Sequence, residues 1–459
     1  MTAAPRTRYS SFLGYPRLPS VPYGALRHIP GTGRGLIVGD ALAFVADPLK
    51  FVRDRHAAFG PISRTYFPFE AGVVLLSADG NEFVLRDRAQ NFSAHLGWEP
   101  LLGRLFRRGL MLRDGDDHRL QRRLMQPAFR KEALAGYLER MTPRIVRETA
   151  RWGQRPGFRF YPAIKRLTLD IAADVFLGLE LQSEVDQVNR DFATVVEASL
   201  ALVRVPVLGR KYARGLEARS RLERFLAARI PERRNGNGSD LFSQMCRTVS
   251  ESGERYSDEE IVDHLIFLMM AAHDTTTSAL TTIAYALARQ PQWQERLRET
   301  VQELDRLEVQ PDDLSRLEPV EWVLHEALRL YPPLPAIARR TVRDCEIHGF
   351  SIPANVAVSV YPIFTHHDPQ WWTEPERFDP ERFSPARGED RRHGFAWVPF
   401  GGGAHMCLGM HFAEMQVKAV LVPLLRQWRL GIPADYRVPY QLAPIAKPRD
   451  GLPMSLQAV

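Results

Sequence analysis

The segment Phe400-Gly401-Gly402-Gly403-Ala404-His405-Met406-Cys407-Leu408-Gly409 decides how the rest of this 459-residue chain is read. Three consecutive glycines let a backbone turn sharply and come close to a flat ligand. The helical pattern after Cys407 puts its sulfur near a helix amino terminus, where the dipole lowers a thiol pKa. A thiolate in that position is a good axial ligand for iron. Read alone, the same letters also describe a glycine hairpin with an incidental buried cysteine.

Working outward, 45% hydrophobic and 25% charged residues describe a globular protein with a large core and exclude a disordered chain. At ~150 residues per domain the length would allow about three domains. The only cysteines are Cys246, Cys345 and Cys407. That excludes a disulfide framework and fits a reducing compartment, so a cysteine with a special task works alone. Lys and Arg outnumber Asp and Glu by 61 to 54, a net charge of +7. No basic run reads as a nucleic-acid arm, and an acidic protein is the partner this balance suggests. Met1 to Pro30 has no continuous apolar stretch, so the reading is a soluble, cytoplasmic chain without a membrane anchor. The most apolar later segment, Ile261 to Ala272, is interrupted by Asp263 and His264 and followed by His273 and Asp274, which suits a buried helix.

The pattern along the chain is mainly helical. Pro48 to Ala58 has helical spacing, Ile62 to Phe67 and Gly72 to Leu76 are β-prone on either side of Pro68, and Asp114 to Arg329 is almost wholly helical. Arg234 to Ser239 reads as a loop. After Tyr331 the chain is Pro-rich with a brief strand at Val356 to Val360, then helical again after Cys407. Ser257 and Glu260 form a capping box, Asp258 and Glu259 suit the positive end of a helix dipole, and Pro291 closes the far end. This predicts a helix of roughly 30 residues, ~45 Å long. Its middle, Ala271-Ala272-His273-Asp274-Thr275-Thr276-Thr277, puts an acid and three hydroxyls where a buried helix should be apolar. Those groups need partners or a purpose.

The segment from Phe400 to Gly409 resembles the haem-binding signature F-x-x-G-x-[RH]-x-C-x-G of the cytochrome P450 family, with Phe400, Gly403, His405, Cys407 and Gly409 on its fixed positions. Other motifs of that family occur in order. Glu326-Ala327-Leu328-Arg329 resembles E-x-x-R, Pro332-Pro333 follows, and Pro380-Glu381-Arg382-Phe383 resembles the P-E-R-F element. Pro375-Glu376-Arg377-Phe378 repeats the letters of the last motif, but its register favours Arg382. Taken alone, E-x-x-R is an ordinary i,i+3 helix pair. The mid-helix cluster resembles [AG]-G-x-[DE]-T-[TS], with Ala272 where glycine is usual. Asp116 to Arg122 puts His118 and Arg122 on one helical face, as in the family's H-x-x-x-R.

The resemblance implies a mainly α fold with a small β region, in which haem lies between a long distal helix and a proximal Cys loop. It implies Met1 to His28 as an extension and 29–459 as one haem domain, with β-rich parts near 60–80 and 335–360. Cys407 would ligate the iron of haem b, and Asp274 and Thr275 would be the acid–alcohol pair that passes protons to dioxygen. His118, Arg122, Arg339 and His405 would hold the propionates, while Glu326, Arg329 and Arg382 would form a structural network. The activity implied is monooxygenation of a lipophilic small molecule, with electrons from NAD(P)H delivered by a separate ferredoxin and ferredoxin reductase or an equivalent donor. The donor would dock on a basic face carrying Arg119, Arg122, Arg123, Arg391 and Arg392. Substrate contacts fall in the loop Phe92 to Leu112, with Trp98, Leu101, Leu102, Leu105 and Phe106, and in Leu200 to Leu216, with Val203, Val205 and Val207. A peroxide-driven or rearrangement enzyme on the same fold and a non-catalytic haem-binding protein are the alternatives, and the acid–alcohol pair speaks against both.

Overall fold

The structure, a computed structural model, describes residues 18–459 except 33–38, 68–69, 180–181, 200, 202–203, 208–209 and 251–252. Most of the amino-terminal extension, Pro68 and Val203 therefore lie outside the described residues.

The capping box at Ser257 and Glu260 forms, and the helix it opens runs from Asp258 to Arg289, 32 residues, matching the predicted length. It is buried over most of its length and packs against the Phe160–Leu177 helix, the Glu318–Leu330 helix and the carboxyl-terminal Met410–Gln427 helix. Three of its buried polar residues find partners across helix interfaces. Asp263 pairs with Arg219 from the Lys211–Ala227 helix, both almost fully buried, and His264 hydrogen-bonds Gln121 Oε1 at 2.9 Å. Thr277 Oγ1 meets Thr168 Oγ1 at 2.7 Å. Each is a buried polar group satisfied across a helix interface, so the helix is fixed in rotation as well as position.

The main β structure is a five-stranded sheet. Its strands are β1 (Ile62–Phe67), β2 (Glu70–Leu75), β3 (Phe92–Ser93), β4 (Ile337–Thr341) and, after a hairpin of β5 (Cys345–Ile347) and β6 (Phe350–Ile352), β7 (Ala357–Val360). The order is β1-β2-β7-β4-β3. β2 and β7 are parallel, with Val73 opposite Val358, and the other pairs are antiparallel. On β4 successive side chains leave opposite faces. Arg340 meets Glu70 at 2.6 Å, whereas Arg339 is sent the other way, toward the site.

Three expectations need correction. The loop at Arg234 to Ser239 begins only at Gly236, because Arg234 and Asn235 complete the Ile230–Asn235 helix. Phe92 to Leu112 is not a loop but β3, a 13-residue helix Ala94–Phe106 and a 3-10 turn Leu110–Leu112. The chain after Met410–Gln427 is not helical: it ends in short strands at Trp428–Gly431, Tyr440–Gln441, Lys447–Pro448 and Ser455–Ala458. Among the described residues one stretch, Gly403–Gln427, is long and apolar enough to cross a bilayer, and 67% of its most apolar window is buried inside the molecule, as in a core helix.

Candidate active site

Glu326 and Arg329 sit one turn apart on the Glu318–Leu330 helix and are fully buried. Arg329 grips Glu326 at 2.7 and 2.9 Å through two nitrogens, and Arg382 reaches the same carboxylate at 3.2 Å. Two buried guanidiniums on one carboxylate would leave a costly surplus charge. Glu389, which the motifs did not reveal, supplies the second carboxylate, accepting from Arg382 at 2.9 Å. The remaining donors go to carbonyls, among them Arg329 to His366 O at 2.7 Å and Arg382 to Thr373 O at 2.7 Å.

This network reaches the cysteine loop through His366, also missed from sequence. Its carbonyl is held by Arg329, and its Nε2 accepts from Val398 N at 2.9 Å. Asn81 donates to Phe395 O at 3.0 Å, fixing the same loop from the opposite side. Beyond Val398 the loop doubles back, and Cys407 N donates to Phe400 O at 2.9 Å. Gly403 is required here: its φ is +63°, and a Cβ on it would lie 2.0 Å from Leu85 O.

The Cys407 side chain is accessible, although Val398, Gly402 and Phe412 around it are buried. Enclosure by the surrounding protein nevertheless pushes the thiol pKa up. The Gly409 N–H and the Arg122 guanidinium act in the opposite direction but do not prevail. The expected lowering by a helix dipole is thus overturned: the helix proper starts only at Met410, and desolvation outweighs it. Coordination to a cation would remove the proton regardless.

The distal wall is the long helix. Ala271, Ala272 and Thr275 share one face and stay partly accessible in a stretch where His273, Asp274 and Thr276 are buried. Thr275 Oγ1 donates to Ala271 O at 2.7 Å, the back-bonded state of a helix threonine. Asp274, 7% exposed, lies 3.1 Å from His273 Nδ1 and 3.5 Å from Lys165 Nζ. His273 is neutral, because burial takes its pKa down to about 4.

Beside the cysteine loop stand His118, Arg122, Arg339 and His405. Arg339 is buried, and its guanidinium makes one hydrogen bond, to Ala338 O at 2.9 Å, with no carboxylate in contact. Burial lowers its pKa to about 10, so it remains a cation. The helix Ala94–Phe106 presses on this strand, and a Cβ at Gly97 would come within 2.6 Å of Arg339 Cα. Arg122, half-buried, likewise lacks an acidic partner among the described residues. The His118 and His405 rings stack 3.9 Å apart at 27°. Desolvation and the neighbouring arginines bring their pKa values down to about 4 and about 2. His405 therefore touches Asp114, 3.8 Å away, as a neutral ring and not as an ion.

Two enclosed cations without anions are unstable as they stand. A flat dianionic macrocycle would supply what they lack, and the accessible thiol would give its metal a ligand. These residues fit haem. Of the apolar residues expected at the substrate, Trp98, Leu102, Leu105 and Phe106 all belong to the hydrophobic core, Leu105 and Phe106 the most deeply, while Leu101 and Val207 are 40% and 45% exposed.

A cysteine loop pinned by a buried Glu–Arg–Arg network, together with a long helix carrying an acid and a threonine, defines the class of haem-thiolate oxygenases. The cytochrome P450 family model matches residues 29–451, and the chain belongs to that family. The protein designated cytochrome P450 136 of Mycobacterium tuberculosis is 39% identical over 445 residues, covering 93% of this chain and 90% of that one. Cytochrome P450 120 of Synechocystis is 30% identical over 430 residues, covering 92% and 95%. Among solved structures, retinoic acid-bound cyanobacterial CYP120A1 superposes with a TM-score of 0.86 at 28% identity, covering 94% of this chain and 99% of that one. The chain is thus an oxidoreductase of the P450 monooxygenase class.

Proposed function

We propose that this enzyme inserts one oxygen atom from dioxygen into a lipophilic small molecule, using electrons from NAD(P)H that arrive through a separate ferredoxin and ferredoxin reductase. The reading is carried by an accessible Cys407 close to Arg122, by Arg122 and Arg339 without acidic partners among the described residues, and by the partly accessible Ala271, Ala272 and Thr275 of the long helix. In this reading Cys407 would ligate the iron, Arg122 and Arg339 would hold the propionates with His118 and His405 beside them, and Phe400, Gly403 and Gly409 would shape the loop. Residues 29–459 form one haem domain, and the enzyme is cytoplasmic, which its three unpaired cysteines support.

Haem bound here would supply dioxygen binding and one-electron chemistry, with thiolate donation favouring O–O cleavage. The chain supplies protons and their direction. Lys165, partly exposed, holds Asp274 at 3.5 Å, and His273 Nδ1 lies 3.1 Å from the same oxygen. A carboxylate between a solvent-facing ammonium and the Thr275 hydroxyl can take a proton on one side and release it on the other. For Thr275 to pass it on, its hydroxyl rotates away from Ala271 O.

The donor surface is smaller than sequence alone implies. Arg119 is paired with Asp116, and Arg392 lies 3.7 Å from Glu389. Arg123 and Arg391 are exposed and carry no acidic partner among the described residues, so they are the charges left for an acidic ferredoxin. Turnover with a reconstituted ferredoxin should fall as salt rises, and a rate indifferent to salt rules this docking out. For substrate class, the names of two relatives point to isoprenoids: taxane 10-beta-hydroxylase of Taxus cuspidata, 27% identical over 406 residues, and beta-amyrin 28-monooxygenase of Vitis vinifera, 26% over 449.

The deciding experiment has two arms. Wild type should show the red-shifted thiolate band of the reduced carbon monoxide complex and Cys407→Ala should lose it; a band that survives refutes the ligand. NAD(P)H and dioxygen with donor proteins should yield product, and product from peroxide alone would favour the peroxide-driven reading.

A further inference from the structure

Gln121 does more than meet His264. It stands three residues after His118 and immediately before Arg122 on the helix Gly115–Met125, and it is buried. Its Nε2 donates to Glu260 Oε1 at 2.7 Å, its Oε1 meets His264 Nε2 at 2.9 Å, and its main-chain oxygen accepts from Tyr256 Oη at 2.9 Å. A carboxylate only accepts, so the amide NH2 must face Glu260 and the amide oxygen must face His264. His264 is fully buried, and desolvation holds its pKa well below 6.5. The neutral ring gives its single N–H to Gln121, and its other nitrogen has no hydrogen-bond partner among the described residues.

Glu260 and His264 lie one turn apart on the long helix. Glu260 also closes the capping box, accepting from Ser257 N at 3.0 Å. Arg113, fully buried, ties the first turn of the Gly115–Met125 helix to the same carboxylate, reaching Asp117 at 2.7 Å and Glu260 at 3.3 Å. That helix packs mainly against its neighbours in sequence, the 3-10 turns Leu110–Leu112 and Gln126–Phe129. Its orientation is therefore set by side chains. On one side Gln121 grips the long helix, and on another the His118 ring stacks on His405 of the cysteine loop at 3.9 Å. Successive residues of a helix project about 100° apart. Holding the Gln121 amide at two points on the long helix resists rotation of its own helix, and so fixes the direction in which Arg122 leaves it.

We propose that Gln121 is the positioning residue for Arg122, an amide crosspiece that sets the cation at the propionate edge by registering its helix on the long helix. An amide is needed because one end must donate and the other accept. Gln121 acts through Arg122 and does not itself touch haem. This rests on the reading that Cys407 and Arg122 hold haem.

The test measures two quantities in the holoprotein: the rate of haem release to excess apomyoglobin and the ferric–ferrous midpoint potential. Gln121→Leu keeps the bulk of the side chain without either hydrogen bond, and should release haem about 10-fold faster. A cation beside the haem favours the reduced state, so loosening Arg122 should also lower the potential. In an Arg122→Gln background Gln121→Leu should change neither quantity, because the residue it positions is gone. Gln121→Glu sets two carboxylates together and should loosen haem as Gln121→Leu does. Adding Glu260→Gln exchanges the pair, keeps a residue able to serve a capping box, and should return both quantities to wild type. Unchanged release and potential in Gln121→Leu, full additivity with Arg122→Gln, or an exchanged pair no better than Gln121→Glu alone overturns the proposal. Should Gln121→Leu fail to fold, the exchanged pair decides. Any of these overturning results in a protein whose wild type shows the thiolate band sinks this inference alone, whereas a thiolate band surviving in Cys407→Ala sinks the haem-ligand reading itself.

Discussion

The proximal and distal walls of the site both rest on buried carboxylates, and they treat them in opposite ways. Glu326, beneath the cysteine loop, is fully buried and receives two guanidiniums and the Asp379 N–H, all at 3.2 Å or less. Asp274, on the long helix, has beside one oxygen a neutral imidazole and, at 3.5 Å, an ammonium whose side chain is 30% exposed. The first arrangement saturates its acceptor and leaves no low-energy alternative. The second leaves an acceptor lone pair free and a partner in touch with water. A ligand loop must keep one geometry throughout a catalytic cycle, and a proton carrier must change partners, so the two walls are built for different demands on motion.

The largest effect should come from breaking the proximal network. Glu326→Ala leaves Arg329 with no carboxylate and Arg382 with Glu389 alone, and removing one partner of a buried ionic cluster costs about 3–5 kcal/mol. Denaturant midpoints should fall accordingly and haem should be lost on purification. A variant with normal midpoint and full haem content would show that the network is not what holds the loop.

The next effects belong to the distal wall and should leave stability almost untouched. Asp274→Asn removes the titrating oxygen but keeps the size of the side chain, and product formation should fall about 100-fold with an unchanged melting temperature. Thr275→Ala should keep reductant consumption and divert it to peroxide. Undiminished coupling in the second variant would leave Thr275 as the back-bonded helix residue that its 2.7 Å contact with Ala271 O describes.

How much of this contrast was legible in the sequence differs between the walls. The long helix was readable because its signals are local: a capping box at Ser257 and Glu260, and Pro291 at the other end. The cysteine loop was readable through its glycines. Glu389 and His366 were not, because their partners are set by folding: the Arg329 to His366 contact spans 37 positions, and no periodicity encodes it. The helix Ala94–Phe106 was missed for a different reason. It contains Gly97, Gly103 and Pro100, residues that cost a helix interior about 1 to 3 kcal/mol each by propensity. Packing overrides propensity there: Gly97 is what allows the helix to rest on Arg339, and Ser93 caps it by accepting from Leu96 N at 2.8 Å. The terminal strands were missed because runs of two to four residues carry too little alternation to register.

A smaller effect separates the walls by pH. His366 is fully buried, desolvation holds its pKa well below 6.5, and its Nε2 must stay unprotonated to accept from Val398 N. The unfolded chain takes up a proton near pH 6.5 that the folded chain refuses. Its contribution is therefore present above pH 6.5 and is lost progressively as pH falls below it, with a slope up to about 1.4 kcal/mol per pH unit for this one group. Denaturant midpoints measured from pH 7.5 to 5 should show that slope in wild type, reduced by that amount in His366→Gln. An identical slope in both would mean that the buried imidazole does not link folding to pH.

The smallest effect bears most directly on how loosely the distal acid is held. Lys165 is partly exposed and lies at 3.5 Å from Asp274, so as a simple ion pair it should be worth about 0.5 kcal/mol or less. Lys165→Met would then slow turnover about two-fold. If instead Lys165 is the route by which protons reach Asp274, its loss should slow the proton-dependent step more than its binding energy allows and should increase the solvent deuterium isotope effect on turnover. The double variant separates the two cases. In an Asp274→Asn background a Lys165 that acts only through Asp274 has no further effect, so the two rate losses fail to add. Full additivity would mean that Lys165 acts elsewhere, and the looseness of the distal carboxylate would then have to be explained by His273 alone.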